Sequence, residues 1–135
     1  MTLKECIQRY SNLIKKICLL TSNGSIKWQY LDSNNTLVKA LDLADIDSLG
    51  IVQNFRFNIE NSFFSFDPPN NMYLVFIQKD ISEFSLQVIP NTYRNITCIN
   101  EKSYPEAVED LYLLRAEIKH HFPNSEDYID RLLSL

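Results

Sequence analysis

The sequence is poor in the residues that bend or cross-link a chain. Its 135 residues include only two glycines and three cysteines. Few glycines leave few positions that require a positive φ, so asparagine is expected in several turns instead. A helix would hold Cys6 and Cys18 about 18 Å apart, whereas a disulfide needs Cα atoms within about 7 Å. With Cys98 as the third member, we expect reduced, apolar-packed thiols and a cytoplasmic location.

Long hydrophobic runs are also missing. No stretch approaches the roughly 18 apolar residues of a membrane span. Charged side chains interrupt residues 1–20, and no small-residue cleavage site follows. The sequence therefore predicts a soluble protein with no signal peptide and no membrane partner. Its length predicts a single domain over residues 1–135.

Motifs for catalysis and metal binding are absent. The sequence contains no G-x-S-x-G elbow, no glycine-rich phosphate loop and no H-E-x-x-H. His120 and His121 would point about 100° apart on a helix, which favours a role at a helix C-terminus over a shared metal. Asp42, Asp45 and Asp47 lack the spacing and the central glycine of a calcium loop. We expect no enzymatic activity, no cofactor and no metal.

The net charge of −4 is unevenly distributed. Residues 1–30 carry five Lys and Arg against one Glu, whereas residues 31–135 carry eight against sixteen acidic residues. An acidic body is atypical of a surface that binds phosphates. Nucleic acid is therefore not the expected partner.

An amphipathic helix is predicted at the N-terminus. Apolar residues recur at helical spacing and form one stripe: Leu3, Ile7, Tyr10, Ile14 and Ile17. Thr2 and Glu5 can form a capping box, and Gly24 can end the helix after Ser22. The opposite face carries lysines and is expected to be solvated.

Alternating apolar residues then predict consecutive strands with short connections. We expect strands at residues 26–30, 51–59, 63–66, 72–78, 84–88 and 93–99, with 72–78 central because it is apolar on both faces. Residues 37–43 fit either a strand or a short helix, and residues 45–50 are expected to be a loop.

Two helices are predicted at the C-terminus. Ser103, Pro105 and Glu106 indicate a helix start, and Pro123 indicates its end after Phe122. The expected inward face of this helix consists of Val108, Leu111, Leu114 and Ile118. Ser125 is expected to cap the last helix, with Ile129, Leu132 and Leu133 turned inward.

The predicted fold is therefore α+β, with an N-terminal helix, an antiparallel β-meander of five to six strands and a C-terminal helix pair. Its predicted core includes Trp28, Ile26, Ile14, Phe57 and Leu111.

The helix-to-strand junction from Leu20 to Trp28 resembles an L-T-x-x-G-x-I-x-W signature. This signature is similar to that of a loose group of small, mostly uncharacterised bacterial proteins found among mobile and defence-related genes. Leu111 and Tyr112 resemble the L-Y pair in a later helix of that group. The resemblance implies the same helix–meander–helix plan and an immunity or antitoxin-like role, in which the protein acts by binding a partner.

The leading hypothesis is a non-catalytic module that binds and inhibits another protein. Carboxylates on loops can steer such a protein toward a basic target, and the candidate partner-binding residues are Asp42, Asp45, Asp47, Glu60 and Asp67. The alternative hypothesis is a sensor or accessory protein of a phage or mobile element that binds a nucleotide or another small ligand. A pocket with convergent polar groups would favour that alternative.

Overall fold

The computed structural model describes residues 2–135. The elements are α1 (Leu3–Ser22), β1 (Gln29–Tyr30), α2 (Asn35–Ala40), β2 (Ala44–Ile46), β3 (Val52–Phe55), β4 (Phe63–Asp67), β5 (Met72–Asp80), β6 (Glu83–Pro90), β7 (Thr97–Asn100), α3 (Ala107–His120) and α4 (Ser125–Leu133). The predicted α+β class is confirmed. None of the helices within residues 2–135 is long and apolar enough to cross a membrane.

The main sheet has five antiparallel strands in the order β1-β4-β5-β6-β7. The prediction that residues 72–78 lie centrally is confirmed, because β5 occupies the middle of the sheet. In the register, Phe76 lies between Phe63 on β4 and Leu86 on β6. Since side chains alternate along each strand, these residues share one face, and Val75, Ile77 and their neighbours share the other.

Helices α1 and α3 cover the first face of the sheet. Ile14 and Leu111 are fully buried between them and the aromatic side chains of Phe63 and Phe76. Ile26 and Trp28 are partly buried against the edge of this cluster. The strand predicted at residues 26–30 is reduced to Gln29–Tyr30, so Ile26 and Trp28 contact the core from an irregular segment.

The second face is covered by α2 and a small β2–β3 sheet. Residues 35–40 form a helix, which resolves the two possibilities for residues 37–43. Phe57 is buried in this cluster, which also holds Leu31, Leu37 and Ile89. The loop predicted at residues 45–50 was partly wrong, because Ala44–Ile46 pairs with β3 in a sheet of its own.

Helix α1 has the predicted bounds and cap. Thr2 Oγ1 accepts a hydrogen bond from the Glu5 amide at 3.2 Å, and Glu5 Oε2 accepts from the Thr2 amide at 3.4 Å. Gly24 follows the helix with a φ of 80°, a value that glycine adopts without steric cost. Asn71 and Asn95 also have positive φ, in agreement with the use of asparagine in turns.

The predicted start of α3 was wrong. The helix begins at Ala107, and Ser103 Oγ instead accepts from the Asn100 amide at 2.9 Å. This bond closes the turn after β7, so Ser103 is not available as a cap. Val108, which was expected to face inward, is 39% exposed, whereas Leu111, Leu114 and Ile118 are buried as predicted.

The prediction for α4 was also wrong in its cap and its orientation. Asn124, not Ser125, accepts from the Glu126 amide at 2.8 Å. No side chain of α4 is buried, and Ile129, Leu132 and Leu133 are 44%, 49% and 81% exposed. The apolar centre of the sheet is already covered by α1 and α3, which leaves no place there for a third helix.

Candidate functional site

Asp42 and Asp45 flank the start of β2 and share one cation. Arg56 Nη2 donates to Asp42 Oδ1 at 2.8 Å and to the Asp42 carbonyl at 2.6 Å, and Arg56 Nη1 donates to Asp45 Oδ1 at 3.3 Å. Both carboxylates remain more than half exposed. They are therefore accessible to a partner, but Arg56 offsets one of their two charges.

Asp47 is committed to its own turn. Its Oδ1 accepts from the Leu49 and Ile51 amides, each at 2.9 Å, and its Oδ2 accepts from Gln53 Nε2 at 2.9 Å. These bonds close the β2–β3 connection, in which Gly50 has a φ of 80°. Asp47 therefore has a structural role. The acidic residues near it in the sequence did not suggest that role.

Glu60 and Asp67 lie at opposite ends of β4. Glu60 precedes the strand, and Asp67 ends it and accepts from Asn70 Nδ2 at 2.8 Å. Five strand residues separate the two ends by roughly 13 Å. Glu60 and Asp67 are thus not immediate neighbours, and the role of the five acidic residues in binding stays a prediction.

The exposed apolar face of α4 was missed by the sequence interpretation. Four residues form a continuous arc on the helix, and all are substantially exposed: Tyr128, Ile129, Leu132 and Leu133. The same helix carries Glu126, Asp127 and Asp130 against a single Arg131. The amphipathic pattern was visible in the sequence, but the sequence alone could not show that the body of the protein leaves this face uncovered.

A second surface lies between α1 and the sheet. Two adjoining clefts of about 590 Å³ and 410 Å³ share Leu20, Ile26 and Leu74 as lining residues. Both clefts open to solvent along the flank of α1 that faces away from α3. Three exposed cations also line them: Arg9, Lys16 and Lys27. We call this surface the α1 groove.

A buried polar cluster joins α1 to α3. Tyr104 Oη donates to Asp110 Oδ2 at 2.6 Å, and Ser11 Oγ donates to the same oxygen at 3.3 Å. Burial and the hydrogen bond to Asp110 raise the pKa of the Tyr104 phenol well above its usual value. Tyr104 and Asp110 are buried and Ser11 is partly buried, so the geometry of the cluster indicates a structural tie between the two helices.

The cysteines differ in their surroundings. Burial, followed by the charges of Glu117 and Asp110, raises the pKa of the Cys18 thiol to about 11. The expectation of packed thiols was wrong for Cys98, which is exposed on β7. Partial burial and Glu101 nevertheless raise the pKa of Cys98, and a thiol is a weak nucleophile until it ionises.

The histidine pair occupies the end of α3, as predicted. His120 is in the last turn and His121 is the C-cap residue. His121 Nε2 lies 3.7 Å from Glu117 Oε1. Within residues 2–135, no three His, Cys, Asp or Glu side chains come together in a way that would hold a metal.

Comparison with models of protein families, with curated proteins and with solved structures finds no match to this chain.

Proposed function

We propose that this chain is a non-catalytic protein-binding module of the immunity or antitoxin-like kind, which inhibits a partner by docking α4 onto it. The observation that carries the proposal is the exposed apolar arc of Tyr128, Ile129, Leu132 and Leu133. A scattered exposed leucine needs no explanation, whereas a contiguous apolar patch is typical of an interaction site.

The length of α4 supports the same proposal. A helix of nine residues is only about 13 Å long, and isolated helices this short are marginal in water. Helices in proteins gain most of their stability from packing an apolar face, and α4 buries none of its side chains. A partner groove would supply the missing contact, as in other complexes where an amphipathic helix inserts into an apolar groove.

The charge of α4 favours a basic partner. Glu126, Asp127 and Asp130 oppose one Arg131, which gives the helix a charge of about −2. Asp42 and Asp45 add exposed carboxylates elsewhere on the surface. Carboxylates around an apolar contact increase the association rate with a basic target more than they increase affinity.

The proposal is tested by affinity capture from cells that encode the protein, followed by quantitative binding to the purified partner. The test variant is Ile129→Ser with Leu132→Ser. The matched control is Leu113→Ser, which removes a leucine that is 64% exposed on α3 and lies outside the arc. We expect wild type and control to bind one partner equally and the double variant to bind it at least about tenfold more weakly.

Inhibition is tested separately, by measuring the activity of the captured partner with and without the wild-type protein. Loss of that activity supports the immunity-like role. A partner that binds the double variant as tightly as it binds wild type contradicts docking through α4. A partner whose activity is unchanged in the complex contradicts inhibition.

A further inference from the structure

The α1 groove is an apolar channel with a basic border. Leu13 from α1, Leu74 from β5 and Val88 from β6 line it, and each is partly exposed. Arg9 and Lys16 border the same stretch. Partly exposed apolar side chains along a concave surface are typical of a site that receives an apolar partner.

The charge of the groove is opposite to that of the molecule. Arg9, Lys16 and Lys27 are cationic, and Asp67 is the one carboxylate among the lining residues. The groove therefore carries about +2 in a chain whose net charge is −4. This arrangement selects an occupant that is apolar on one face and acidic beside it.

Helix α4 has those properties and the matching length. From Arg9 to Leu20, the groove follows α1 for about 16 Å at 1.5 Å per residue. The nine residues of α4 extend about 13 Å by the same measure. Its apolar arc would face the floor of the groove, and Glu126 and Asp130, which lie beside Leu133 on the helix, would face the basic border.

The α4 of the same chain does not fill the groove, since none of its residues lines either cleft. Phe122, just before α4, packs on Tyr30 of β1 with ring centroids 4.5 Å apart. Phe122 also packs on Phe63 at the start of β4, with ring centroids 5.1 Å apart, whereas the groove meets β4 at its other end, at residues 65–67. A second copy of the chain can present α4 without this constraint.

We propose that α4 of a second copy occupies the α1 groove. In the proposed arrangement each copy inserts its α4 into the groove of the other, so the contact is reciprocal and closes a twofold dimer, the commonest symmetry of homo-oligomers. The dimer covers α4 and would compete with the partner proposed above. The dimer uses the same helix as the proposed function, but it forms without any other protein. A failure to dimerise would therefore leave the proposed function standing, and a failure to bind a partner would leave the dimer standing.

The dimer is tested by sedimentation velocity on the purified full chain, with two charge-reversed variants. Arg9→Glu with Lys16→Glu reverses the groove, and Glu126→Lys with Asp130→Lys reverses the helix. A control, Lys4→Glu with Lys102→Glu, makes the same change in net charge as the groove reversal at exposed residues that do not line the groove. Circular dichroism checks that each variant folds.

We expect wild type and control to dimerise and each reversed variant to dimerise at least about tenfold more weakly, since close like charges oppose association. An equimolar mixture of the two reversed variants should recover the dimer. In the mixed dimer, one contact pairs two natural surfaces and the other pairs two reversed surfaces, so both pair opposite charges. A monomeric wild type at the highest soluble concentration would overturn the proposal, as would a mixture that stays monomeric.

Discussion

At the residue scale, one hydrogen bond connects the end of α1 to the sheet. Trp28 Nε1 donates to Thr21 Oγ1 at 3.0 Å, and Thr21 is buried. The indole ring also packs against the edge of the core beside Ile26. The junction from Leu20 to Trp28 is thus a local structural unit, in which a threonine and a tryptophan seven residues apart contact each other.

Substitution of Trp28 should separate packing from hydrogen bonding. Trp28→Phe keeps an aromatic ring but removes the donor to Thr21, and we expect a loss of about 1 kcal/mol in the free energy of unfolding. Trp28→Ala also removes the packing and should cost about 3 kcal/mol, near the lower end for buried aromatics because the ring is partly exposed. Urea denaturation measures both. Equal losses of unfolding free energy in the two variants would show that the packing of the Trp28 ring adds nothing to its hydrogen bond, which would contradict this account.

The Tyr104 phenol should make stability depend on alkaline pH. Because its pKa is raised in the folded protein above the reference value of 10.0, the unfolded chain loses this proton first. The stabilisation is therefore complete below about pH 10 and is lost as the pH rises above it, by up to 1.4 kcal/mol per pH unit. Tyr104→Phe should show a shallower decline above pH 10 in urea denaturation. Identical slopes for variant and wild type would contradict the raised pKa.

The thiols should react in an order set by exposure. Cys98 is exposed, whereas Cys6 and Cys18 are partly buried. We expect a thiol reagent to modify Cys98 first in the native protein, with a rate that rises with pH up to the raised pKa of its thiol. Mass spectrometry of labelled peptides measures the order, and Cys98→Ser should remove the fast phase. Faster native labelling of Cys18 would contradict the structure.

At the scale of the element, one carboxylate and two backbone hydrogen bonds close the β2–β3 connection. Asp47 accepts hydrogen bonds from two amides of the connection and from Gln53 of β3. Asp42 and Asp45 instead form exposed ion pairs with Arg56. Exposed ion pairs contribute little to stability. The three aspartates look alike in the sequence, and the structure assigns them different roles.

Alanine substitution should reveal that difference. We expect Asp47→Ala to cost about 1–2 kcal/mol and to speed amide exchange at Leu49 and Ile51, because both amides lose their acceptor. Asp45→Ala, which leaves Asp42 and its positive φ of 54° in place, should change stability by less than about 1 kcal/mol. Hydrogen exchange resolved by NMR measures both effects. Unchanged exchange at Leu49 and Ile51 in Asp47→Ala would contradict the proposed role of the carboxylate.

At the scale of the whole molecule, the sequence predicted those features that local chemistry determines. Examples are the capping box and the apolar stripe of α1, and strand β5, which is apolar on both faces. In each case the pattern that predicts the element lies within the residues of that element. The start of α3 was wrong because Ser103 bonds back to β7, a contact between separate elements. The orientation of α4 was wrong because an apolar arc indicates only that a helix needs a partner, and the sequence does not say whether that partner lies in the same chain.

The candidate surfaces likewise combine features that are visible in the sequence with features that depend on contacts between elements. The acidic candidates were chosen from the sequence, but the separation of Glu60 from Asp67 by β4 and the use of Asp47 within its turn depend on the folded chain. The α1 groove combines residues from α1, the junction and four strands of the sheet, so no single stretch of sequence predicts it. Its basic border was visible only as an excess of positive charge in residues 1–30.

Hydrogen exchange of the α4 amides tests most directly whether this helix is a docking surface. In a dilute solution of the free protein, residues 125–133 should exchange far faster than the core of α3, since a short helix with no buried face opens readily. Addition of the captured partner should slow that exchange by at least about tenfold, while the exchange of α3 stays unchanged. Exchange of α4 that is equally fast with and without the bound partner would contradict the proposed function.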